Sequence, residues 1–227
     1  ALADAIVAAL ARGGWAMDAV APPRPRRAGE TAAIIPIEPV RAVHRKLEQV
    51  NLIVGAPSLS IADPRRPALA VPSAIPGGGM SSRLFQEVRE RRGLVYSVDA
   101  YAPAYSDAGY FAMGAGCAPK KLPEVVRVMT AEFERMAAEA VSDLELQRAV
   151  GQMSGSGALA LEDSDTRMSR LGRAELSLGE FVDLDESTAR LSAVTADDVL
   201  AIAADLVGAP RCIAAVGPVD VDVLTAS

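Results

Sequence analysis

The stretch from Gly77 to Ser97 constrains the fold more than any other part of the chain. Three consecutive glycines, Gly77, Gly78 and Gly79, read as a tight turn at which the backbone must approach a neighbour closely. From Met80 to Arg92 the apolar residues Leu84, Phe85 and Val88 share one face at helical spacing. On the other face, Arg83/Glu87 and Glu87/Arg91 stand four apart as expected ion pairs. Gly93 suits the left-handed residue that ends such a helix. The following segment, Leu94 to Tyr105, reads as a strand in which strict alternation puts Tyr96 on the face of Leu94 and Val98. A Ser106-Asp107 turn and a second strand, Ala108 to Gly116, complete an antiparallel hairpin.

Around this nucleus the elements follow in a simple order. Ala1 to Arg12 is a helix stopped by Gly13-Gly14, and a proline-rich stretch separates it from a β-like run over Ala42 to Val54. Residues 63 to 76 have helical spacing in Leu69, Val71 and Ile75, but Pro67, Pro72 and Pro76 oppose a helix at about 3 kcal/mol for each interior proline. Helices are expected over Lys120 to Ala140, Ser142 to Leu161, Asp163 to Leu178, Leu184 to Ser192 and Thr195 to Val207. Thr195 and Asp198 form a capping-box pattern for the last of these. A strand, Arg211 to Gly217, closes the order. Strands, then helices, then a final strand predict an α+β fold, an antiparallel sheet flanked by helices.

Charge removes several function classes. The formal charge of -6 gives no concentrated basic field for nucleic acid or an anionic membrane. The one basic knot, Arg24-Pro25-Arg26-Arg27, sits in the proline-rich stretch and reads as a solvated linker. No run of apolar residues reaches membrane-spanning length. Cys117 and Cys212 sit in small apolar contexts that suit reduced core thiols, which favours a cytoplasmic setting.

The chemical candidates are few. His44 is the single histidine, so the chain by itself cannot assemble a His-rich metal site or a histidine-based nucleophile. Gly77 to Gly79 lacks the P-loop lysine, and the Gly155-x-Gly157-x-x-Ala160 pattern falls inside a helix, so neither reads as a nucleotide loop. Glu162, Asp163 and Asp165 before Arg167 and Arg170 read as helix-start charges and ion pairs. Arg89 and Tyr96 remain, seven residues apart across a helix end and a strand start. They read either as an ordinary helix-flank charge and a half-buried strand residue, or as hydrogen-bond donors to a peptide carbonyl and its developing oxyanion.

The string from Gly77 to Ser97 closely resembles a signature of the pitrilysin/insulinase family of zinc peptidases, which includes the mitochondrial processing peptidases. The resemblance extends over most of residues 41 to 217, through Glu48-Gln49, Asp63-Pro64-Arg65-Arg66, Asp143 to Ala149, Arg167 to Gly172 and Val194 to Val199. It implies the carboxyl-terminal half of a clam-shaped peptidase built from two similar α+β halves. Residues 1–12 would then be the last helix of the preceding half, 13–40 the linker and 41–227 the carboxyl-terminal domain. By the same resemblance, zinc belongs to H-x-x-E-H and a further Glu in the other half, and this segment binds none. Arg89 and Tyr96 match the family's Arg and Tyr that face the metal across the cavity, with Gly77, Gly78 and Gly79 as a loop near substrate. The implied reaction is metal-assisted peptide hydrolysis, in which zinc activates water and the other half's Glu takes the proton. The implied partners are an extended peptide and the metal-bearing half, covalent or separate, and a homo-oligomer is compatible with them. A noncatalytic assembly subunit, as in relatives that serve as scaffolds in respiratory complexes, is the alternative. A peptide-binding domain acting alone is a third.

Overall fold

The computed structural model describes residues 1–15, 36–77, 79, 82–178 and 181–225. Five strands form one open sheet in the order β1-β5-β2-β4-β3, where β1 is Val40–His44, β2 Val50–Ser58, β3 Val95–Tyr101, β4 Gly109–Cys117 and β5 Cys212–Gly217. The α+β expectation is met, with one refinement to the antiparallel sheet: β1 pairs with β5 in parallel, while all other pairs are antiparallel. The β-like run expected over Ala42 to Val54 is in fact two strands. The first lies at the sheet edge and the second at its centre.

Alternation along the strands divides the sheet into a dry face and an open one. Val50, Leu52, Val54 and Ala56 of β2 face Cys117, Ala115, Met113 and Phe111 of β4, and all of these are buried. The helices α2 (Arg66–Gly77), α3 (Leu122–Ala138) and α7 (Ala196–Gly208) cover this face. Phe111 and Phe133 pack with ring centroids 5.9 Å apart between the layers. On the opposite face Asn51 and Ile53 stand against Gly116 and Gly114, and Ile53, Tyr110 and Val216 remain exposed.

The prolines do not prevent α2 from forming. Pro67 falls in the first turn, where a missing N–H loses no intrahelical bond. Pro72 and Pro76, four apart, are both buried. They line a small gap with Met136, Val141, Val199 and Ala203, so tertiary burial of two apolar rings offsets the lost backbone bonds.

The remaining helices are α4 (Asp143–Ala160), α5 (Ser164–Arg173), α6 (Leu184–Ser192) and a short α8 (Val221–Thr225), which periodicity did not reveal. The helix expected over Asp163 to Leu178 changes at Ala174 into a π-helical turn. Capping follows sequence closely. Ser142 accepts from Glu145 N while Glu145 accepts from Ser142 N, and Thr195 and Asp198 exchange the same bonds. The Asp163 carboxylate accepts from Thr166 N at 2.8 Å as the cap of α5. Helix α1 (Leu2–Arg12) buries no residue, and its Leu2, Ile6 and Val7 are exposed. Residues 16–35 of the expected linker, including the basic knot, lie outside the described residues. Among the described residues no helix is long and apolar enough to cross a membrane.

Candidate functional site

The segment after the glycine loop is helical, but it is not the regular α-helix that its spacing suggests. Phe85–Arg91 is a π-helix, wider than an α-helix by one residue per turn. Leu84 and Val88 are buried in the core beneath it. The expected Arg83/Glu87 pair does not form. Arg83 instead donates from Nε and Nη2 to the two carboxylate oxygens of Glu145 at 2.7 and 3.0 Å, a bidentate clamp onto the start of α4. The Arg83 guanidinium holds the Glu145 carboxyl at about 2, well below its ordinary range, assisted by donation from Ser142. Glu87 turns to Arg91 and Arg92, at 3.2 and 2.8 Å.

The exit of the π-helix is pinned to the sheet. Gly93 takes the left-handed conformation at φ 58°, as expected of the stop residue, and Leu94 N donates to Val88 O at 2.8 Å. The first turn of β3 then departs from alternation. Val95 pairs with Cys117 and Ser97 with Gly116, so Tyr96 is the extra residue of a β-bulge. The bulge corrects the expectation that Tyr96 shares the face of Leu94 and Val98. Those two turn to the core, whereas Tyr96 is 60% exposed. Arg89 is also exposed, and its Cζ lies 4.7 Å from the Phe85 ring centroid. Among the described residues Arg89 has no carboxylate partner, and no hydrogen bond joins it to Tyr96. Two exposed side chains are thus carried by a junction of helix, left-handed glycine and strand.

The glycines upstream serve different needs. A Cβ at Gly77 would overlap Ala100 N and Cβ, so the end of α2 rests directly on β3. Gly79 has φ 155° and lies beside the Gln152 side chain of α4. Gly78 lies outside the described residues.

The other sequence candidates are ordinary parts of the fold. His44 ends β1, exposed, with Nδ1 4.0 Å from an Asp220 carboxylate oxygen. Cys117 is buried in the core, and desolvation pushes its thiol up to about 11; Cys212 is partly buried, and both are free thiols. Arg170 does not pair with the acids before it. It donates to Val182 O at 2.8 Å and to Ser187 Oγ at 2.9 Å. Among the described residues no group of three or more His, Cys, Asp or Glu side chains is gathered as a metal would need.

The fold is an α+β layer, a five-stranded open sheet flanked by helices, and similarity to known proteins specifies the class. The chain belongs to the peptidase M16 family, through the inactive, carboxyl-terminal domain type: the pattern described as "Peptidase M16 inactive domain" matches residues 10–153. It is 42% identical over 211 residues to an uncharacterized zinc protease of Streptomyces coelicolor, covering 93% of this chain and 46% of that protein. The chain therefore spans about half the length of this curated relative. Among solved structures, a peptidase M16 inactive domain from Pseudomonas fluorescens superposes with a TM-score of 0.65 at 22% identity, over 79% of this chain and 43% of that one. A chain of complex III2 from Candida albicans superposes with a TM-score of 0.71 at 22% identity, over 81% and 48%. These two likenesses bear on the fold alone.

Proposed function

We propose that this chain is the substrate-binding, non-metal half of a zinc metalloendopeptidase that hydrolyses extended peptides. Two backbone irregularities within the segment 85–97 carry the reading. A π-helix presents Arg89 and a β-bulge presents Tyr96, and both devices recur where a fold must re-aim a side chain toward a ligand. Arg89 and Tyr96 donate hydrogen bonds to the scissile carbonyl. Those bonds strengthen as charge builds on the carbonyl oxygen, which is the differential binding that lowers a barrier. The Phe85 ring beneath Arg89 steadies the guanidinium without neutralising it. The peptide lies extended along the sheet edge, held by backbone hydrogen bonds that give modest sequence preference.

In this reading zinc is held entirely by a metal-bearing amino-terminal half, covalent or separate. Residues 1–12 are the last helix of that half, 13–40 the linker and 41–227 the carboxyl-terminal domain. The unburied apolar residues Leu2, Ile6 and Val7 of α1 support that assignment, since a helix of this pattern needs a neighbour. Gly79 borders the peptide path, and Gly77 serves the packing of α2 on β3.

The test is Arg89→Ala in the complete two-half protein, with peptide turnover, zinc content and thermal midpoint measured together. A fall of roughly 100-fold in kcat/KM at constant zinc and midpoint is expected. Unchanged turnover would remove the assigned role, and the lack of any zinc-dependent turnover in the intact protein would favour the noncatalytic assembly subunit.

A further inference from the structure

Two sequence motifs that the peptide-binding reading does not use converge on one cavity. Asp63-Pro64-Arg65-Arg66 leads into α2, and Arg167 to Gly172 runs along α5. Between them lies an open cavity of about 740 Å³ at the junction of α2, α5 and α6. Three arginines, Arg66, Arg170 and Arg173, line it together with Ser169, and among the described residues Asp165 is the only acid in the lining. A chain with net charge -6 has thus gathered positive charge in a concave site.

None of the three arginines has a carboxylate partner among the described residues, although Arg170 also lies over the Phe181 ring, 5.9 Å from its centroid. Arg65 takes both nearby acids, Asp63 at 3.0 Å and Asp205 at 2.8 Å, which leaves the adjacent Arg66 with no carboxylate among the described residues. Arg66 is nevertheless partly buried, and desolvation with no compensating partner lowers its pKa. Arg170 is oriented by the carbonyl of Val182 and the hydroxyl of Ser187, neither of which neutralises it. Arg173 makes no ion pair with Asp165 or with any other described acid. Guanidinium does not shed its proton at physiological pH, so a partly desolvated, unpaired group is costly until an oxyanion pairs with it. Its planar fork matches phosphate oxygens two at a time.

We infer that this cavity, formed by Arg66, Arg170 and Arg173, is a binding site for a multivalent phosphate anion, separate from the Arg89 and Tyr96 edge. The volume is ample for a triphosphate and for an organic group attached to it. The site does not depend on the peptidase reading, because binding is measured without turnover.

The experiment is calorimetric titration of the complete protein with inorganic triphosphate, for the wild type and for Arg66→Gln, Arg173→Gln and the remote control Arg45→Gln. Saturable binding that weakens at least tenfold in both cavity variants, is unchanged in the control and falls with added salt is the expected result. Arg173 is exposed, so its variant remains informative if Arg66→Gln fails to fold. Chelation of zinc from another part of the protein would give the same signal in every variant. No binding, equal binding in all four proteins, or equally tight binding of a pentaglutamate peptide would each overturn the proposal. A parallel titration with adenosine triphosphate identifies the source: equal affinity supports a free polyphosphate, and tighter binding supports an organic phosphate.

Discussion

The two ends of the helical segment after the glycine loop use arginine in opposite ways. At the entrance, Arg83 is largely buried and held bidentately by Glu145, tying this segment to the start of α4. At the exit, Arg89 is exposed, stacked only on Phe85 and free of any described carboxylate. The paired arginine has its charge satisfied inside the fold and acts as a fastener. The unpaired one leaves its hydrogen-bonding groups exposed to solvent. The π-helix Phe85–Arg91 begins two residues after Arg83 and carries Arg89, so the two uses fall within seven residues.

The comparison is broken most directly at its exit. Arg89→Ala in the complete two-half protein should lower kcat/KM by roughly 100-fold with little change in thermal midpoint, and Tyr96→Phe should give a smaller fall of the same kind. A large loss of stability in Arg89→Ala would instead make it a second fastener. Next in size is Gly77→Ala, at the base of the loop. The added methyl meets the backbone of Ala100, so about 3 kcal/mol of stability should be lost in chemical denaturation.

At the entrance, Glu145→Gln should cost about 2 kcal/mol at neutral pH by removing a charge-assisted pair. Its pH dependence has a definite sign. The Glu145 carboxyl titrates near 2 when folded, against 4.5 for the unperturbed group, so the unfolded chain binds more protons between those values. The stabilisation is therefore complete above about pH 4.5 and is lost as pH falls toward 2. Denaturation curves of wild type and variant should converge over that window, and a gap that persisted at pH 2 would mean that the pair is not its source. The smallest effect is expected from Phe85→Leu, which removes the ring under Arg89. A three- to fivefold fall in kcat/KM corresponds to the about 1 kcal/mol of an exposed cation–π contact.

Much of this site was legible in the sequence because its signals are local. The left-handed stop at Gly93, the buried face of Leu84 and Val88 and the capping boxes at Ser142 and Thr195 each depend on residues within a few positions of one another. The misreadings came from longer range. Spacing paired Arg83 with Glu87, whereas Glu145 lies 62 positions away. Alternation turned Tyr96 inward, and only the register of β3 against β4 reveals the bulge. The Arg66 and Arg170 cavity had no sequence signal beyond two short motifs whose convergence is tertiary.

By itself the sequence determined the α+β class, the order of its main elements and the two candidate donors, since periodicity, glycine stops and caps follow from backbone and side-chain chemistry along the chain. Tertiary structure decided that α2 persists through Pro72 and Pro76, that β1 joins β5 in parallel and that Ile53, Tyr110 and Val216 stay exposed on one face of the sheet among the described residues. It also decided which arginines are neutralised. Each of those outcomes depends on burial against distant residues, and the free energy of burial is set by what the folded chain brings together rather than by what lies next in sequence.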